Sequence, residues 1–360
     1  FVWAQALSGP YTDAANGVAV DHAGNVLATG QFCNSIDLDG GPGTQILGSA
    51  GGNSDAFLVK LRPDGSYIWG RGLGGAYDDV GSRIAVDGSD NIYTVGTFGT
   101  SADFDPGAGT YTLNGPGLFI SKLTPDGTFS YAKAVVGSLL ASGLAVESSG
   151  GVHIAASTQG AATLDLDPGA GTFTFIGPRQ SAFLTSLDAA GDFAGASAFC
   201  GTYGESGEAM AVDAAGNVYV AGRYSGQEDF DPGPGAVRLP FAGNEDVFIA
   251  KYSPVGGLLW ARSIGGASYD RANGLAVDDG GDVYVVGSYS GTVDFDPGAG
   301  VFNLTSAGGT DQYVLKLNAS GDFVWAFSAG NASNGAAEAV ACAGGFVYVT
   351  GPFMGTVDFD

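Results

Sequence analysis

Basic residues are scarce in this chain. Thirteen Lys and Arg stand against 37 Asp and Glu in 360 residues, a net charge of −24 at pH 7. Phosphate binding needs clustered positive charge, so the balance argues against a nucleic-acid partner. It also disfavours docking on an anionic membrane. No apolar run approaches the roughly 18 residues that a membrane span needs. The three cysteines cannot all pair internally, and on their own they leave the redox compartment open. Only two histidines are present, and G-x-S-x-G, H-E-x-x-H and C-x-x-C are all absent. No stretch shows sustained helical periodicity with caps. Charged residues are 14% and hydrophobic ones 45%, so the acidity is not that of a disordered tail.

Glycine is abundant, at 63 residues with no Gly-X-Y period, which implies many tight turns between short strands. Length alone suggests two or three domains, but a ring of repeated units fits as one. The pair Asp-x-Asp recurs at Asp37/Asp39, Asp103/Asp105, Asp165/Asp167, Asp229/Asp231, Asp294/Asp296 and Asp358/Asp360, at spacings of 62 to 66 residues. Four copies read DFDPG or DLDPG, and the first reads DLDGG. Other positions keep register. An Asp and a Gly nine apart recur at Asp21/Gly30, Asp87/Gly96, Asp213/Gly222 and Asp278/Gly287. Lys60, Lys122, Lys251 and Lys316 each precede an aromatic by nine residues: Trp69, Tyr131, Trp260 and Trp325. Trp3 holds that place one unit earlier. The third copy is degenerate, with Glu147, Ala156, Ser186 and Gly195 at these positions, and the sixth carries Cys342 for the Asp.

Each unit holds four short β-rich runs, in the second copy Gly81–Val86, Asn91–Phe98, Leu118–Leu123 and Thr128–Val135. Four antiparallel strands per repeat with no helix define an all-β chain, a β-propeller of about six four-stranded blades with a roughly 64-residue repeat. A stacked solenoid ranks second, its repeats usually being shorter. The expected blades are 10–75, 76–136, 137–201, 202–266 and 267–330 in one domain, with a closing or partial blade from 331–360 plus 1–9. A lone outer strand is expected at Phe1–Leu7. Beginning at Phe1 and stopping inside a motif, the sequence reads as a piece of a larger propeller or array, or as a ring with a three-stranded closing blade.

The text GVAVDxxGNVYVTG…DAFLVKLxPDG…W resembles the bacterial SBBP-type β-propeller repeat, and the DFDPG insertion resembles a variant seen in large secreted or surface-anchored bacterial proteins. The likeness covers essentially the whole chain. It implies a fold and an extracellular or cell-surface habit, not a reaction. NHL-type propeller repeats share the Gly-rich GNVYVTG text.

We letter the strands of a repeat A (inner) to D (outer). Antiparallel strands alternate direction, so the B–C loops and the D–A crossovers share one face. The Asp-x-Asp motif lies in the B–C connection. A second acidic series, eight residues before the Asp that ends strand A, reads Asp13, Asp79, Leu139, Glu205, Asp270 and Asn334 on the crossovers. Residues i and i+2 of an extended segment point to one side, so Asp103 and Asp105 would aim together. Two carboxylates about 6 Å apart repel by about 3 kcal/mol at an effective dielectric near 20, and something must offset that. One reading is calcium, since carboxylates, carbonyls and water make a hard-oxygen site. Its ligands would be Asp37, Asp39, Asp79, Asp103, Asp105, Asp165, Asp167, Asp229, Asp231, Asp270, Asp294 and Asp296. The other reading is turn chemistry, in which Asp before Pro-Gly bonds nearby amides; direct glycan contact is a third role.

The strand-C lysines and the aromatics are expected to be structural, the lysines paired with the strand-A Asp or reaching an edge and the aromatics packing between blades in preference to stacking on sugars. Neither His22 nor His153 maps to the acidic face. Acids repeated in every blade suit binding or structure better than one tuned acid/base pair, although two carboxylates suffice for a glycosidase. The expected function is therefore a non-enzymatic secreted or cell-surface module, structural or adhesive, with a protein or glycan ligand. A carbohydrate-binding or carbohydrate-active propeller is the alternative. The Asn-x-Ser/Thr sites at Asn303, Asn318 and Asn331 carry no meaning in a bacterial-looking chain. Cys33, Cys200 and Cys342 fall on non-adjacent blades or opposite faces, so denaturing thiol titration is expected to return three thiols; a count of one would establish a disulfide.

Overall fold

The structure is a computed structural model. It describes residues 3–51, 53–177, 181–199, 205–254 and 256–357, with backbone only at 198–199 and 205–206. Among these residues there is no helix, and the strands run A–B–C–D in four four-stranded antiparallel sheets and in a first sheet of six, which also takes up the second repeat's short hairpin. The first has A at Ala14–Val20, B at Val26–Cys33, C at Ser54–Leu61 and D at Tyr67–Gly75. The second has Val80–Val86, Ile92–Phe98, Gly117–Leu123 and Phe129–Val136, each end within one residue of the expected run. The third has Leu139–Val146, Val152–Thr158, Ala182–Leu187 and Phe193–Phe199. The fourth has Glu205–Val212, Val218–Tyr224, Asp246–Tyr252 and Leu258–Ile264. The fifth has Arg271–Val277, Val283–Tyr289, Asp311–Leu317 and Phe323–Ala329. Ala339–Ala343 and Phe346–Thr350 then form a two-stranded pair. The first residues differ from expectation: 3–7 join no strand ladder, and only Ser8 bridges to Asp37.

The chain divides into two compact units. One comprises 1–154, 162–176 and 185–194, the other 155–161, 177–184 and 195–360. In the first, Leu58, Trp69, Leu73, Ile92, Phe98 and Phe119 belong to a core in which strand B and C side chains meet the next repeat's strand A. In the second, Tyr219, Ile249, Ile264, Leu275, Val285 and Leu315 do the same. Strands B and C of the second and fourth sheets are buried on both faces, so they read as near-continuous apolar runs, whereas the sheet-edge strand Leu258–Ile264 keeps exposed and half-buried positions.

An element beyond the four strands is the short hairpin that carries the Asp-x-Asp motif. Its arms are Ser35–Asp37 with Ile46–Gly48, Ser101–Asp103 with Thr112–Asn114, Ala162–Asp165 with Thr174–Gly177, and Thr292–Asp294 with Asn303–Thr305. This hairpin reaches back to the end of the preceding repeat's strand D. Gly74 pairs with Asp103 and Gly75 with Ala102, and Gly265 bridges Asp294. The Ser8–Asp37 bridge holds the equivalent place.

The strand-D aromatics join neighbouring repeats. Trp3, Trp69 and Trp260 donate their indole N–H to the carbonyls of Pro63, Pro125 and Ala319 in the next C–D turn. The turn glycines Gly65, Gly127 and Gly321 lie against the rings, and all three have positive φ. In the second unit Gly321 has φ +79°, and a Cβ there would stand 3.0 Å from the Trp260 ring. Gly321→Ala therefore combines backbone strain with a clash, and should lower stability by about 1–3 kcal/mol. The check is the urea midpoint, with the m-value unchanged.

Candidate functional site

The Asp-x-Asp hairpins are alike in five repeats. The middle residue points inward: Leu38, Phe104, Leu166, Phe230 and Phe295 are all buried. Phe104 packs edge-on to Phe98, with ring centroids 5.7 Å apart, and against Phe119 at 4.7 Å. Phe230 repeats this with Tyr224 and Phe248, and Phe295 with Tyr289 and Tyr313. The flanking carboxylates then serve the turn. Oδ1 of Asp103 accepts the amides of Asp105 (3.0 Å) and Tyr111 (2.8 Å). Asp37, Asp165, Asp229 and Asp294 do the same with residues i+2 and i+8. Oδ1 of Asp39, Asp105, Asp167, Asp231 and Asp296 accepts the amide two residues on, from Gly41, Gly107, Gly169, Gly233 and Gly298. A second glycine is as necessary: a Cβ on Gly43, Gly109, Gly171, Gly235 or Gly300 would collide with Oδ2 of the second Asp. Asp358 and Asp360 lie outside the described residues.

The crossover acids do not join these loops. Asp79 and Asp270 are each 1% exposed and turn inward. Asp79 accepts the amides of Gly75 (2.7 Å) and Gly99 (2.9 Å), and Asp270 those of Gly266 (2.8 Å) and Ser290 (3.2 Å). Each faces another buried acid, Asp55 or Asp246, on the preceding strand C. Among the described residues no three His, Cys, Asp or Glu side chains form a metal-ligating group, so Asp79 is not gathered with Asp103 and Asp105, nor Asp270 with Asp294 and Asp296. In the last repeat the place expected for Asn334 is taken by Gly335. Its amide bonds the Thr310 carbonyl as that of Asp79 bonds Ser54 and that of Asp270 bonds Glu245. Asn334 matches Asp78, each accepting the amide of the residue before the strand-C Asp at 3.2 Å. Cys342 pairs with Val347 as Val86 pairs with Ile92, so the A–B turn is one residue shorter there, which spoils a count back from Cys342. The side chain of Glu205 lies outside the described residues.

Burial pushes the Asp55 carboxyl up to about 7, with the charge of Asp79 adding to it. Burial also pushes Asp79 and Asp246 up to about 6 and raises Asp270. Sequence reasoning passed over Asp55, Asp246 and Asp311. The signal was a fixed offset: five residues before the strand-C Lys position the chain reads Asp55, Gly117, Ser181, Asp246 and Asp311.

At the opposite end of the sheets, the Asp ending strand A caps its own turn. Asp21 accepts the amides of Ala23 and Asn25, and Asp87 those of Ser89 and Asn91. Lys60 pairs with Asp21 at 2.9 Å in a buried bridge, and Lys251 with Asp213 at 3.3 Å. Lys316 instead takes Asp282, and Lys122 lies over Tyr93 and bonds the Ala189 carbonyl. The third repeat, where Ser186 replaces the Lys, fills the gap from strand B. His153 stands in the position of Tyr93 and Tyr219, 3.0 Å from Glu147 Oε1 and 2.8 Å from Ser186 Oγ. His22 is exposed, 2.6 Å from Asp90. Neither Cys33 nor Cys342 is in a disulfide, and Cys200 lies outside the described residues.

No family model matches the chain. Over 113 residues it is 35% identical to the regulatory protein FlaEY of Caulobacter vibrioides, a stretch of 31% of this chain and 12% of that protein. It is 23% identical over 408 residues to an uncharacterized WD repeat-containing protein of Acanthamoeba polyphaga mimivirus, covering 94% of this chain and 29% of that one. The chain thus spans less than a third of the length of these curated relatives. A solved protein of unknown function from Bacteroides caccae aligns at a TM-score of 0.36 with 10% identity, over 76% of this chain and 89% of that one.

The His153 cluster gives a pH test. Burial holds this imidazole below its ordinary value, against the pull of Glu147. A depressed histidine contributes stability that is fully present above its unfolded pKa of about 6.5 and is lost as pH falls through the folded value. The melting temperature should therefore fall more steeply between pH 7 and 5 for the native chain than for His153→Gln. Parallel curves would show that His153 titrates as in the unfolded chain.

Proposed function

We propose that the chain is a β-propeller module without enzymatic activity, working outside the cell as a structural or adhesive platform whose acidic loop end meets a protein or glycan. The observation that carries this reading is the sameness of the Asp-x-Asp hairpins. A catalytic acid/base pair needs two carboxylates in different environments, whereas here five loops hold their carboxylates with the same amides. The WD-repeat name of the viral relative and the SBBP-like repeat text agree with a propeller. Calcium at the loops belongs to the same reading, because Oδ2 of Asp103, Asp165 and Asp294 takes no amide and stays available to a hard cation.

One observation favours carbohydrate recognition as the ligand chemistry. Tyr11, Tyr77 and Tyr269 are all more than half exposed and lie on the D–A crossovers that lead into the first, second and fifth sheets. Amphipathic rings of this kind stack on sugar faces. The test is a glycan array with the native chain and with Tyr77→Ala and Tyr269→Ala, alongside fluorophosphonate labelling. Saccharide binding lost in both variants, with no label on Ser186, is the expected result. Turnover of a glycan, or a labelled Ser186 beside His153, would replace the binding module with a hydrolase.

A further inference from the structure

Asp55 and Asp79 are 4% and 1% exposed, and Asp246 and Asp270 are 1% each. None of the four forms an ion pair with a basic side chain among the described residues. Backbone amides hold one oxygen of Asp55 (from Ala50, 2.7 Å), one of Asp246 (from Ala242, 2.7 Å) and both oxygens of Asp79 and Asp270. The remaining oxygen, Oδ1 of Asp55 and of Asp246, is buried with no hydrogen-bond partner. Leaving a buried charged oxygen unsatisfied costs several kcal/mol as an order of magnitude.

The orphan oxygens look onto the same kind of space. A Cβ on Gly74 would stand 2.8 Å from Asp55 Oδ1 and 2.9 Å from Asp79 Oδ2, so both carboxylates border the spot that the glycine leaves open. Gly265 stands in the same relation to Asp246, whose carboxylate a Cβ would strike. The second repeat supplies a control within the chain. There Gly117 replaces the strand-C Asp, Val136 pairs with it in place of the glycine, and the buried Leu139 replaces the crossover Asp. Both acids and the open spot disappear together. The fifth sheet keeps Asp311 and Gly330 where Gly335 replaces the crossover acid, so it is the strand-C Asp and the glycine that change together.

We propose that the Asp55–Asp79 pair and the Asp246–Asp270 pair each hold a hard divalent cation, Ca²⁺ by their all-oxygen chemistry, in a buried site distinct from the Asp-x-Asp loops. The site rests on carboxylates that the loop reading does not use alone, so the two can fail separately. Gly335 leaves the last repeat with Asp311 as its single carboxylate, and no third site of this kind is assigned.

The test is calorimetric titration of the chelator-stripped chain with Ca²⁺, with Mg²⁺ as control. Asp55→Asn, Asp246→Asn and the loop variant Asp105→Asn are run beside it. The expected result is Ca²⁺ binding that loses one equivalent in each of the first two variants, whereas any loss in Asp105→Asn reports the loop sites separately and leaves the buried equivalents in place. A variant carrying Asp55→Gly, Gly74→Val and Asp79→Leu borrows the second repeat's own solution and guards against a misfolded Asp55→Asn; it should melt normally and lose the same equivalent. Absence of Ca²⁺ binding, or a stoichiometry left unchanged by the double change Asp55→Asn/Asp246→Asn, overturns the proposal. In the first case a proton shared by each acid pair takes the cation's place.

Discussion

A turn leaves amide N–H groups without a strand partner, and in this chain carboxylates accept them. That exchange shapes most of what is unusual about the protein. Asp21 and Asp87 close the A–B turns, Asp103 and Asp105 close the long hairpin, and Asp79 holds the crossover to the next repeat. A hydrogen bond to a charged acceptor contributes about 1.5–3 kcal/mol, and repetition multiplies it. The strong negative charge is thus not a field displayed for a partner in the first instance. Much of it is bound to the backbone that carries it.

The same logic explains where apolar residues go. Once the two aspartates of a hairpin face its amides, the residue between them points to the sheet, and Phe104, Phe230 and Phe295 fill the gap between strands B and C. The opposite end of the sheets is also held by Trp N–H groups on the neighbouring turn and by buried Lys60–Asp21. Both ends are therefore fastened by carboxylate to amide, and this one adds indole and ammonium donors to carbonyl and carboxylate.

The strand layout was legible in the sequence because a repeat gives several independent copies of each boundary. The ends of the second sheet fall within one residue of the expected ones. The packing role of Trp69 and Trp260 was legible for the same reason. Two things were not. The Asp55–Asp79 pairing joins residues on different strands, opposite a glycine, and no spacing along one strand announces it; only the joint change to Gly117, Val136 and Leu139 does. The Asn334 position was misplaced because a count in sequence assumes turns of equal length, whereas the register of hydrogen bonds puts Gly335 there. The third repeat looked like a plain loss at Ser186, but the replacement came from the adjacent strand, as His153.

The hairpin that crosses to the preceding strand D has a consequence for how such a chain can grow. Gly74 with Asp103 and Gly265 with Asp294 place residues encoded in one repeat inside the sheet of the one before. The segment that is copied in the gene and the segment that is complete in space are therefore out of phase. A duplication cut at the visible edge of a sheet would leave one hairpin without its host and one strand D without its cover. Cuts made within the hairpin's own span leave every junction whole, whatever the number of copies. Lengthening and shortening by whole repeats is then easiest when the breakpoints fall in the acidic loops, the part of each unit whose sequence is most nearly the same.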